Sequence, residues 1–301
     1  MVTVLTLVTA TLLIAGCPSS RGGTNRTTQA RVVVENEITY GKGGDVDLKL
    51  DLARPAEGKG PFPVLVFLHS GGWFEGTKTE FYPEIKEAAD KGYVAVTVDY
   101  RLTSETENDK TKYPFPAQVY DVKCAVRWLR ANAEKYKIDP DHIGALGYSA
   151  GGHLALMLGL TEPSDGLEGD GGNVGYSSRV QAVVSLAGPA ELSIIPPGNE
   201  SVAFYLKHLL GGTLKQAPEQ YKKASPLTYV RRDRDNPPIL TINGDIDKDV
   251  PLEQAEHLDA KMKDAGASHT LIVKKGVGHE NLYVGSAAWD FFDRYLKVGA
   301  Q

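Results

Sequence analysis

Cysteine is scarce in this chain, with 2 among 301 residues, at Cys17 and Cys124. So few thiols exclude a disulfide framework, and no Cys/His cluster with metal-ligand spacing is present, so no metal site is expected. Basic charge is not in excess. Lys and Arg total 33 against 38 Asp and Glu, a net charge of −5 with a pI near 5.8. Without a basic footprint, nucleic acid is not an expected partner. Tryptophan is sparse too, at 3, and with 14 Tyr it suits a core or a ring-stacking pocket without deciding between them. What remains is ordinary: 42% hydrophobic and 24% charged residues are enough to bury a substantial core. An α/β chain of this length is usually one domain.

Residues 2–15 are almost wholly apolar or Thr, and no Lys or Arg precedes them. The run is too short to span a bilayer comfortably and reads as a signal h-region. Leu13-Ile14-Ala15-Gly16-Cys17 resembles a bacterial lipobox, which predicts export and lipidation of Cys17 at residues 1–17; a plain secretory signal cleaved nearby is the alternative. Residues 18–30 are Ser, Gly, Thr and Arg with little to bury, and predict a flexible tether. The folded body is expected over 31–301. Cys124, on an apolar helical stripe, is expected to be a small buried side chain.

Two strands, 31–40 and 46–52, flank a Gly-rich turn and predict an antiparallel hairpin. The continuous apolar run Val64-Leu65-Val66-Phe67-Leu68 suits a strand covered on both faces and delivers His69-Ser70-Gly71-Gly72-Trp73 at its carboxyl end. A helix over 82–91, a strand over 93–98 and a long amphipathic helix over 118–136 follow. Further strands are expected over 180–186, 238–242 and 270–273, with helices over 252–265 and 286–296. Residues 190–234 hold helical pieces and no clear strand, and predict a cap over the carboxyl edge of the sheet. The alternation implies a largely parallel sheet with helices on both faces.

The chain is organised around Gly147-Tyr148-Ser149-Ala150-Gly151-Gly152. An apolar strand precedes it and a run of helix formers follows. A strand that turns directly into a helix leaves almost no space, which small residues relieve while the serine hydroxyl is pushed outward. This is the G-x-S-x-G elbow in its strand–turn–helix setting. A serine needs a base within hydrogen-bond reach and an acid behind that base. His279 follows a strand end downstream of Ser149 and is the expected base. His69 precedes Ser149 and is expected to brace its loop. Asp245, Asp247 and Asp249 share one strand-end loop and compete as the acid. Backbone N–H groups of Gly71, Gly72 and Ala150 are the expected oxyanion donors. Trp73 and Tyr148 are expected to line the substrate pocket, with a core role for Trp73 almost as well supported.

Together these residues resemble the α/β-hydrolase superfamily, and within it the bacterial carboxylesterases related to hormone-sensitive lipase and to bifunctional carbohydrate and feruloyl esterases. Asp99-Tyr100-Arg101-Leu102, Phe115-Pro116-Ala117, the elbow with His153-Leu154-Ala155, Gly188-Pro189 and Asp247-Lys248-Asp249-Val250-Pro251 carry the resemblance. Ser70 stands where the family has the first glycine of His-Gly-Gly-Gly, and Asn243 where its acid motif begins with His. The resemblance implies an α/β-hydrolase fold of about eight strands with a small cap, Asp247 as the acid, and no metal or organic cofactor. It implies hydrolysis of carboxylic esters through an acyl-enzyme, with acetyl or feruloyl esters of carbohydrates or similar small molecules as expected substrates. An amidase or peptidase of the formamidase or prolyl-oligopeptidase kind is the enzymatic alternative. A non-catalytic binding module is the alternative of another class. The export signal adds a lipid anchor at the membrane surface, or a periplasmic or secreted location, to the expectations.

Overall fold

A computed structural model describes residues 32–106, 111–280 and 282–297. The expected signal, Cys17 and the tether at 18–30 lie outside the described residues.

Strands β1 (Val32–Gly43) and β2 (Val46–Pro55) form the antiparallel hairpin. Strand β1 runs three residues past the expected end, so the reversal falls at Gly44, where φ is 64°. Then come β3 (Phe62–Leu68), α1 (Tyr82–Asp90), β4 (Val94–Val98) and a two-residue ladder of β5 (Ser104–Glu105) with β6 (Thr111–Lys112). The expected long helix is divided into α2 (Ala117–Ala131) and the single turn α3 (Ala133–Tyr136). The break is at Asn132, whose side-chain amide donates to the Trp128 carbonyl at 2.9 Å and satisfies a helix-terminal acceptor. Strand β7 (Ile138–Tyr148) leads through Ser149 into α4 (Ala150–Leu160). The remainder is β8 (Ala182–Leu186), α5 (Glu200–Leu210), α6 (Pro218–Ala224), β9 (Ile239–Gly244), α7 (Leu252–Asp264), β10 (His269–Lys274) and α8 (Ser286–Leu296).

The main sheet has 8 strands in the order β1-β2-β4-β3-β7-β8-β9-β10. Strand β2 is antiparallel to both neighbours, and every pairing from β4 to β10 is parallel. Alternate residues of β3 enter two different cores. Val64, Val66 and Leu68 pack with α2, α4 and α7 on one face, and Leu65 and Phe67 with α1 and α8 on the other. That explains the unbroken apolar run: a parallel strand covered on both sides has no polar face to present. Helix α4 is buried along its whole length, which fits its lack of polar stripe.

The elbow is as crowded as its composition implies. A Cβ on Gly151 would stand 2.0 Å from the Leu68 carbonyl oxygen, and one on Gly147 2.1 Å from that of Gly151. Such contacts with backbone cannot be relieved by a side-chain rotation. Parallel strands β3, β7, β9 and β10 all point the same way, so the loops after them gather at one edge of the sheet. Cys124 is fully buried against the β1 hairpin, and burial pushes its thiol pKa up.

Candidate active site

Ser149 carries φ 54° and ψ −117°, a strained conformation for a residue with a side chain. Its N–H donates to the Leu186 carbonyl at 2.8 Å, which ties the elbow to the neighbouring strand end. From there Ser149 Oγ lies 2.9 Å from His279 Nε2, and His279 Nδ1 lies 2.8 Å from Asp247 Oδ2. A carboxylate only accepts, so Nδ1 carries the proton towards Asp247 and Nε2 is left to accept from the Ser149 hydroxyl.

The three competing aspartates have separate jobs. The Asp247 side chain is fully buried. Its Oδ1 accepts from the N–H groups of Asp249 and Val250, each at 2.9 Å, while Oδ2 faces His279. Asp245 accepts from Gly276 N–H at 2.6 Å and so fastens the loop after β9 to the loop that carries His279. Asp249 accepts from the Asn199 side chain at 2.7 Å, at the start of α5. Carboxylate direction separates these roles; residue type does not.

Behind His279, the Tyr148 ring stacks at a centroid distance of 5.2 Å, and its hydroxyl donates to the His279 carbonyl. Burial pushes the Tyr148 phenol pKa up, which keeps it a donor. Tyr148 lines the cavity, and its polar end is engaged with the histidine loop.

Across the serine, Gly71, Gly72 and Trp73 have successive φ values of 102°, 58° and 60°. The Gly71 carbonyl accepts from the N–H groups of Phe74 and Glu75 at 3.0 and 2.9 Å, closing a tight turn. Ser70 is accommodated by Glu80, which accepts from its N–H at 3.0 Å and its hydroxyl at 2.8 Å. His69 stacks flat on Tyr100, with ring centroids 4.0 Å apart and Tyr100 donating to the His69 carbonyl. These contacts tie the start of the loop to Tyr100. Trp73 is 4% exposed; it both lines the cavity and packs in the core.

Gly71, Gly72, Trp73, Tyr148, Ser149 and His279 converge on one cavity of about 270 Å³. Asp247 and Ala150 stand behind its wall. The Ala150 N–H is the first of α4 and has no acceptor within that helix. The opposite wall is formed by Leu192, Ile194, Val202, Tyr205 and Leu206, residues not named from the sequence but all within the 190–234 segment expected to cap the sheet edge. The last three lie on one face of α5 at helical spacing, a pattern legible in the sequence without revealing what the face covers. Among the described residues, no group of three His, Cys, Asp or Glu side chains is placed to hold a metal ion.

The sheet order, the elbow after its central strand and the Ser, Asp, His order along the chain define an α/β-hydrolase. The BD-FAE family model matches residues 50–262, and the chain belongs to the BD-FAE family. It is similar to Esterase LipC of Mycobacterium tuberculosis (strain ATCC 25618 / H37Rv), 30% identical over 223 residues, covering 73% of this chain and 53% of that protein. Esterase LipQ of the same organism is 30% identical over 236 residues, 77% of this chain and 53% of that one. The chain spans about half the length of these curated relatives. Among solved structures, a truncated carbohydrate esterase from gut microbiota is similar at TM-score 0.74 and 26% identity, covering 89% of this chain and 96% of that one. The thermophilic esterase Est2 of Thermogutta terrifontis matches at TM-score 0.71 and 27% identity, covering 91% and 96%.

Proposed function

We propose that this protein is a serine carboxylesterase in which Ser149 is the nucleophile, His279 the general base and acid, and Asp247 the orienting carboxylate. The unbroken relay, 2.8 Å from Asp247 to His279 and 2.9 Å from His279 to Ser149, carries the reading. It favours a catalyst over a binding module on the same fold, for which a linked relay has no use. The named esterase relatives favour ester over amide cleavage.

Ser149 Oγ attacks the ester carbonyl carbon as its proton passes to His279 Nε2. The C–O bond to the alcohol then breaks, and the alcohol leaves with that proton. Water attacks the acyl-Ser149 ester, giving a proton to Nε2, and collapse of the second tetrahedral intermediate returns it to Ser149 and releases the acid. Asp247 stabilises the imidazolium in both halves. The N–H groups of Gly71, Gly72 and Ala150 receive the developing oxyanion, each worth roughly 3–4 kcal/mol in the transition state.

The substrates under this reading are acetyl or feruloyl esters of carbohydrates or comparable small alcohols. The apolar wall from Leu192 to Leu206 suits an acyl group, and the likeness to a carbohydrate esterase supports the alcohol. Export with Cys17 lipidated completes the proposal on the pattern of residues 1–17. The purified protein and its Ser149→Ala variant, assayed on p-nitrophenyl acetate, acetylated xylan, methyl ferulate and a matched p-nitrophenyl amide, test it. Turnover of at least one ester, abolished in the variant, is expected; amide turnover alone, or full activity in the variant, overturns it.

A further inference from the structure

His153 lies on α4 one helical turn beyond Ser149 and is 1% exposed. Its imidazole makes two directed hydrogen bonds. Nδ1 accepts from the Trp73 indole N–H at 3.2 Å, and Nε2–H donates to the Ala224 carbonyl at 2.8 Å. An indole N–H only donates and a carbonyl only accepts, so both partners select the same neutral tautomer. Burial pulls the pKa of His153 down to about 4, which preserves that tautomer through neutral pH. One ring therefore joins the helix behind the serine, the glycine loop across from it, and the end of α6.

Trp73 is where that joint matters. It is the third consecutive residue with positive φ, and unlike Gly71 and Gly72 it carries a side chain that disfavours this region. Such a conformation persists only when its surroundings over-determine it. The Trp73 carbonyl accepts from the Thr103 N–H at 2.8 Å and its hydroxyl at 3.2 Å. The indole, the other handle on this residue, has His153 as its one hydrogen-bond partner among the described residues, with the two rings edge-on at 5.1 Å.

We infer that His153 is a positioning residue for catalysis, holding the N–H groups of Gly71 and Gly72 over Ser149 through the Trp73 indole. This rests on the esterase reading above. A loop released from the latch keeps its residues but loses its aim, and donors misplaced by an ångström lose much of their value in the transition state. Ground-state binding, set by the apolar wall across the cavity, is left in place.

The test compares full-length wild type with His153→Phe, His153→Gln, Trp73→Phe and the Phe/Phe double variant, with kcat taken per fluorophosphonate-titrated serine. His153→Phe should lower kcat roughly 10- to 100-fold with KM within about twofold. His153→Gln, whose amide offers both an acceptor and a donor, should recover most of that loss. The double variant should be no slower than the slower single, since both act through one contact. An unchanged kcat in His153→Phe, or losses that multiply in the double variant, overturns the inference. Should His153→Phe fail to fold, Trp73→Phe carries the test, and an unchanged kcat there overturns it equally. A wild type that neither cleaves esters nor takes the fluorophosphonate brings down the esterase reading itself, a result distinct from an active wild type with indifferent variants.

Discussion

The Tyr205 ring occupies the space that a side chain at residue 72 would need: a Cβ on Gly72 would stand 2.6 Å from it. Its hydroxyl donates to Glu75 Oε1 at 3.1 Å, fastening α5 to the glycine loop. Tyr205 and Glu75 border both the cavity beside Ser149 and an outer groove lined by Phe74 and Phe204. Tyr205→Ala should open one into the other and move the preferred p-nitrophenyl acyl chain upward by several carbons. The gain expected on an octanoyl ester is roughly 10-fold relative to acetyl, about 1.4 kcal/mol of newly buried chain. The ratio of kcat/KM across the acyl series measures it, and an unchanged ratio contradicts it.

Tyr148→Phe keeps the ring stacked on His279 but removes the donor to its carbonyl. The base then loses an anchor on its own loop, and kcat should fall roughly 3- to 30-fold with KM little changed. Steady-state kinetics on a short p-nitrophenyl ester check this.

The aspartates should separate sharply. Asp247→Asn disturbs the tautomer of His279 and should lower kcat roughly 10³- to 10⁴-fold. Asp245→Asn keeps a side-chain oxygen for the Gly276 N–H and should hold kcat within about threefold, at a stability cost of about 1 kcal/mol. Parallel kinetics and urea unfolding of the two variants distinguish them.

His153 gives the protein a pH-dependent stability of definite sign. Its pKa is about 4 in the native protein against an ordinary 6.5. Between those values the unfolded chain binds more protons than the native one, so stability rises with pH across this window. As pH falls from about 6.5 to about 4, on the order of 3 kcal/mol is lost from this group. Urea midpoints at pH 7.5 and 4.5 should therefore diverge less in His153→Gln than in wild type. An equal divergence contradicts the assignment.

The elbow was legible in the sequence because its cause is local: strand, helix and serine collide within five residues, and only small neighbours relieve them. The two-faced burial of β3 was legible for a similar reason, since it leaves no polar alternation. The acid was not separable from its neighbours by residue type. Asp245, Asp247 and Asp249 differ by the direction of each carboxylate, which the turn decides, and the family resemblance supplied Asp247. Tyr205 against Gly72 and His153 against Trp73 escaped for another reason: each pair is distant along the chain and meets only after the sheet has formed. The break at Asn132 was hidden because the apolar stripe continues past it while a side-chain amide ends the helix.

The central claim is that His279 makes Ser149 a nucleophile. Intact mass spectrometry after brief exposure to a fluorophosphonate tests it most directly, with wild type, Ser149→Ala and His279→Ala treated alike. The expected result is one adduct on the wild type, located by peptide mapping at Ser149, none on Ser149→Ala, and labelling of His279→Ala slowed by roughly 10³-fold or more. An adduct that persists in Ser149→Ala, or labelling of His279→Ala at the wild-type rate, would contradict it.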